Sequence, residues 1–70
     1  MSSPITTMRD AFPRGLATPA LHALAGAGLT TLERVTTVTE AELLAMHGMG
    51  PKAVRILRDA LRLRGLTLRA

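Results

Sequence analysis

The chain contains no cysteine, tryptophan or tyrosine, and Phe12 is its single aromatic residue. Without thiols it has neither a disulfide framework nor a thiolate metal site, a composition that suits a reducing compartment. The scarcity of aromatics removes the π-faces on which single-stranded bases stack. No long apolar run occurs at the start, so neither a signal peptide nor a membrane span is expected, and the expected location is cytoplasmic. A nucleophile–base–orienter set is also missing, and 70 residues leave little room for a deep pocket. Glu40 and Glu42 read as first-turn helix charges rather than a catalytic pair. His22 and His47 lack two further convincing ligands for a metal. The expectation is therefore a non-enzyme with no cofactor and no metal site.

Hydrophobic residues, mostly Leu and Ala, make up 47% of the chain, which points to helices, and nothing reads as a strand. Residues 1–13 lack periodicity and contain Ser, Thr and Pro, so they read as a flexible tail, with Phe12 able to pin its end to the core. Residues 14–70 then form one small all-α domain of four to five helices. Thr18 is predicted to cap the first helix with Pro19 at its first position, and Gly26 and Gly28 to end it. Thr30 to Glu33 and Thr39 to Glu42 each have capping-box spacing, opening two short helices. A longer helix is predicted from Pro51 to about Arg64, closed by Gly65, with Leu66 and Leu68 folding back onto the core. On that helix Ala53, Val54, Leu57, Ala60 and Leu61 form an apolar stripe, and Lys52, Arg55, Arg58 and Arg62 cluster on another side beside Asp59.

The formal charge of +4 is unevenly placed. From Pro51 onward Lys52, Arg55, Arg58, Arg62, Arg64 and Arg69 stand against Asp59 alone, a net of +5, whereas the first fifty residues carry three basic and four acidic side chains, a net of −1. A basic final third on a near-neutral body points to a polyanionic partner on one side. A solvated helix face is the plainer reading of the same residues.

The most informative stretch is Leu43 to Leu57, where two apolar-patterned segments flank Gly48-Met49-Gly50, followed at once by Pro51 and Lys52. Two glycines permit a turn too tight for side chains, Met49 between them can anchor it, and Pro51 suits the first position of the next helix. That helix would begin with free N–H groups beside a lysine, an arrangement suited to a phosphate. This spelling resembles the helix-hairpin-helix motif of DNA-binding modules that do not read sequence. Leu16–Leu24, Ala27–Glu33, Thr39–Leu44, Gly48–Lys52 and Arg64–Leu68 follow in an order similar to the C-terminal domain of the bacterial RNA polymerase alpha subunit.

That resemblance covers about three quarters of the chain and implies a SAM-like helical bundle. It also implies promoter DNA as a ligand and the transcription machinery as a partner. Gly50 and Lys52 match the family's hairpin glycine and the basic position two residues later. Ala53 stands where a small hydroxyl residue is frequent. Pro19 and His22 stand where the family uses an arginine and an asparagine to enter the groove, and proline cannot replace an arginine fork. His22 retains a hydrogen-bond donor. The expected function is a module gripping duplex DNA by its phosphates with weak sequence preference. Gly48, Met49, Gly50, Lys52, Ala53, Arg55 and Arg58 would form the site, with His22 and His47 at its margin. A monomer is expected, nucleoid-associated if it binds DNA. The competing expectation is a protein-interaction module that kept the fold and lost the DNA.

Overall fold

The computed structural model describes residues 4–70. Among these it contains five helices and no strand element: α1 (Pro4–Ala11), α2 (Thr18–Gly26), α3 (Leu32–Val35), α4 (Glu40–Leu44) and α5 (Pro51–Leu63). The radius of gyration is 10.9 Å, and about 11 Å is expected of a compact chain this long. Among the described residues no helix is long and apolar enough to cross a membrane.

The first helix corrects the sequence reading. Pro4–Ala11 is helical rather than a flexible tail, and residue 13 is no domain boundary. Residues 1–3 of the expected tail lie outside the described residues. Met8 and Phe12, four apart and therefore on one helix face, are both buried in the common core, and α1 packs on α2. The Phe12 amide continues the helix by donating to the Met8 carbonyl at 2.7 Å. So short a helix would be marginal alone and is held by this packing.

Helix α2 starts one residue earlier than Thr18 capping would require. Ala17 is its N-cap, in extended conformation, and Thr18 is already helical. The Thr18 hydroxyl instead accepts from Arg9 Nη2 at 2.8 Å, tying α1 to the start of α2. At the other end Gly28 alone takes the left-handed conformation, at φ 77°, while Gly26 remains in the helix. The Leu29 amide donates to Leu24 O at 2.8 Å and the Gly28 amide to Ala25 O at 3.0 Å. This is a Schellman closure, with Leu24 and Leu29 both buried.

The register of α3 also differs by one residue from expectation. Thr31, not Thr30, is the N-cap, accepting from the Arg34 amide at 3.1 Å. Glu33 is left facing outward and pairs with Arg64 at 3.0 Å. Burial of Leu29 and Leu32 on either side decides this register. The expected box at α4 forms as read: Thr39 Oγ1 accepts from the Glu42 amide at 3.1 Å, and Glu42 accepts from the Thr39 amide at 2.8 Å.

Helix α5 follows its predicted stripe. Val54, Leu57 and Leu61 are buried, Ala53 and Ala60 pack against the core, and the basic residues face outward. A second Schellman closure forms at Gly65 (φ 72°), where the Leu66 amide donates to Leu61 O at 2.8 Å. Leu66 and Leu68 then pack on the core, and the Arg69 amide donates to Val38 O at 3.0 Å, forming one isolated parallel bridge between Thr39 and Arg69.

Glu42 links this bridge to solution pH. The Thr39 amide, and then the Arg69 guanidinium at 2.8 Å, hold its carboxyl below the usual glutamate range. A carboxylate with a depressed folded-state pKa contributes stability above its unfolded pKa and loses it as pH falls through the folded one. Glu42→Gln is therefore expected to lower the melting temperature at pH 7, with the difference shrinking on acidification below about pH 4.5. A melting series from pH 7 to pH 3 checks this, and a difference independent of pH would refute it.

Candidate nucleic-acid interface

The α4–α5 turn is pressed against the start of α2. Gly48 has φ 89°, and a Cβ placed there would sit 2.9 Å from Pro19 O and 3.2 Å from both Pro19 C and Pro19 Cβ. Only glycine meets both conditions. Gly50 differs from the expectation of two sterically required glycines: its backbone is extended, at φ −113° and ψ 175°, and a Cβ would meet nothing within 4 Å.

The absence of a side chain at Gly50 matters in another way. Gly50 is the N-cap of α5, and the helix has no side-chain cap. A serine, threonine or aspartate at that position would fold onto the amides of the first turn and occupy them. Pro51 has no amide to satisfy, and the amides of Lys52 and Ala53 make no hydrogen bond among the described residues. The Gly48 and Gly50 amides are likewise unbonded.

Met49 does not join them. Its side chain is only 7% exposed within the core, and its amide donates to Met46 O at 3.1 Å. The expected anchoring role is present, whereas neither its side chain nor its amide is open to a ligand. Ala53 likewise turns its methyl toward the core and offers only its amide. His47 is exposed in the turn, and His22 is exposed on α2 one helical turn beyond Pro19.

Charge is distributed differently in space than along the chain. Arg58 pairs with Glu40 at 2.9 Å, Arg64 with Glu33 at 3.0 Å and Arg69 with Glu42 at 2.8 Å. Three cations of the basic final third are thus matched to three carboxylates of the first fifty residues. Each pair is exposed and weak by itself, and three of the six cations of the final third, Lys52, Arg55 and Arg62, are left unpaired among the described residues. Arg58, expected among the ligand-binding cations, is engaged with α4. Lys52 and Arg55 remain exposed with no carboxylate within ion-pair distance among the described residues.

Two further cations precede α2, Arg9 on the segment read as tail and Arg14 just after it. Arg9 reaches Thr18, next to the Pro19 that touches Gly48. Arg14 lines a cleft of about 240 Å³ together with Arg9, Phe12 and Leu21. The signal that would have placed them was the spacing of Met8 and Phe12, which marks a helix face. A cleft of about 520 Å³ lies away from the turn, between the start of α4, the second half of α5 and the C-terminal segment. Two of its three arginines, Arg58 and Arg69, are already paired.

Comparison of the chain with protein-family models, with curated proteins and with solved structures finds no match.

Proposed function

We propose that this chain is a non-catalytic helix-hairpin-helix module that grips duplex DNA by its phosphate backbone, with weak sequence preference and a role allied to transcription. The observation that carries the reading is the uncapped start of α5, where Gly48, Gly50, Lys52 and Ala53 present unbonded amides beside two unpaired cations, Lys52 and Arg55. Amides there would hold a phosphate and the cations would neutralise it. Pro19 offers no side-chain donor to a base edge, which favours backbone contacts over sequence readout.

A labelled duplex titrated at two salt concentrations tests this. Binding is expected to weaken steeply with salt, and Lys52→Glu is expected to reduce affinity at least about tenfold at low salt. Absence of binding at low salt, or indifference to Lys52→Glu, would overturn the proposal. One observation favours a protein-docking role instead: Leu63 on α5 is 90% exposed. Amide shift mapping with DNA separates the two, since perturbation at Gly48 to Ala53 supports DNA and silence there supports a protein partner.

A further inference from the structure

Folding sorts the basic residues into two groups. Arg58, Arg64 and Arg69 each have a carboxylate at 2.8–3.0 Å, while Arg9, Arg14, Arg34, Lys52, Arg55 and Arg62 have none within ion-pair distance among the described residues. All three paired acids, Glu33, Glu40 and Glu42, come from α3 and α4. The two other carboxylates, Asp10 beside Arg9 on α1 and Asp59 one helical turn from Arg55 on α5, are exposed and make no ion pair among the described residues.

Two contacts set the segments that carry Arg9 and Arg14 against the turn before Lys52 and the helix that carries Arg55. Arg9 Nη2 donates to Thr18 Oγ1, and the next residue, Pro19, is the one against which Gly48 is pressed. Arg14 precedes Gly15, where a Cβ would lie 3.2 Å from Ile56 Cδ1, and Ile56 follows Arg55. The α1–α2 segment therefore borders the α4–α5 turn at Pro19–Gly48 and the first half of α5 at Gly15–Ile56. Along α5, Pro51 and Ile56 are about 7–8 Å apart. Each strand of duplex DNA carries one backbone charge per roughly 3.4 Å of axis, so such a length spans about two phosphates of one strand.

We propose that Arg9 and Arg14 form a second phosphate-binding arm, extending the duplex interface from the α4–α5 turn across the start of α2 onto α1. This inference rests on the reading of the turn as a DNA site and enlarges its footprint. Arg9 acts from Thr18, adjacent to Pro19, and so supplies a guanidinium at a place where α2 itself has no cationic side chain. The partner remains the polyanionic duplex backbone, because nothing in this arm is arranged to read base edges.

The count of engaged cations sets the salt dependence. Lys52 and Arg55 alone give a slope of log affinity against log salt of about −1.8, whereas all four give about −3.6. Between 50 and 200 mM salt these correspond to losses of about 12-fold and about 150-fold. Duplex titrations with the full chain across that range test the inference, using Arg9→Gln, Arg9→Lys, Arg14→Gln, Thr18→Val and Arg64→Gln. Arg9→Gln and Arg14→Gln should each flatten the slope by about 0.9, and Arg9→Lys should keep it. Thr18→Val removes the hydrogen bond but not the charge, so it should lower the melting temperature and leave affinity within about twofold; Arg64→Gln, the paired control, should leave the slope unchanged.

A wild-type slope near −1.8, with Arg9→Gln indistinguishable from wild type while Lys52→Glu still abolishes binding, overturns this inference and leaves the turn as the whole site. Loss of affinity in Thr18→Val equal to that in Arg9→Gln overturns it too, by making Arg9 a structural residue. So does an equal loss in Arg64→Gln, which would reflect net charge alone. Indifference of binding to Lys52→Glu defeats the underlying reading, and the inference with it.

Discussion

Gly48→Ala is expected to destabilise the domain by about 2–5 kcal/mol, from a left-handed backbone penalty of about 1–2 and overpacking of about 1–3. The reason is double: φ is 89°, and the new methyl would meet the Pro19 carbonyl, a backbone group that cannot swing aside. Relief requires the turn to move away from α2, which separates the amides of Gly48 and Gly50 from the surface formed with Pro19. Affinity for DNA should therefore fall along with stability. Gly50→Ala is the matched comparison, since its backbone is extended and its surroundings are open; it should stay within about 1 kcal/mol of the parent. Urea denaturation followed by circular dichroism measures both. Equal stability of Gly48→Ala and the parent would mean that the turn does not press on α2 as described.

Phe12→Ala should cost about 3–5 kcal/mol, because a large buried side chain would leave a cavity that short helices cannot close without losing other contacts. A chain of this length has a total stability of roughly 4–10 kcal/mol, so the variant should lose about a third or more of it. The same experiment decides whether α1 belongs to the domain. If residues 4–12 were a loose appendage, loss of the Phe12 side chain would shift the denaturation midpoint by a small amount only. Protection of the Phe12 amide, bonded to Met8 O, against hydrogen exchange gives an independent measure of the same docking.

Both effects concern features that were unevenly legible in the sequence. The glycine requirement at the turn was readable as a spelling, but the sequence treats Gly48 and Gly50 alike. What distinguishes them is Pro19, twenty-nine residues earlier, whose backbone occupies the space beside Gly48 and leaves that beside Gly50 empty. The capping box at Thr39 and the closure at Gly65 were legible because each is a local hydrogen-bonding pattern set by residues within one or two turns. Thr18 and Thr30 were misread for the same reason in reverse. A hydroxyl at a plausible cap position is only a candidate, and the register was decided by Arg9 reaching Thr18 and by burial of Leu29 and Leu32. The N-terminal stretch was misread because its Ser, Thr and Pro content outweighed two apolar residues four apart, a pattern that acquires meaning only when another helix offers a surface to bury it.

By itself the sequence determined the all-α class, the apolar stripe of α5, the closures that end α2 and α5, and the uncapped start of α5 that follows Gly50-Pro51. All of these depend on periodicity, backbone freedom or the missing proline amide, which act over a few residues. Tertiary structure alone decided which cations remain available. Glu33, Glu40 and Glu42 fold against Arg64, Arg58 and Arg69, whereas Lys52, Arg55, Arg9 and Arg14, like Arg34 and Arg62, meet no carboxylate among the described residues. Ion pairs form through space at a few ångströms, and chain order carries no record of which charges will lie that close.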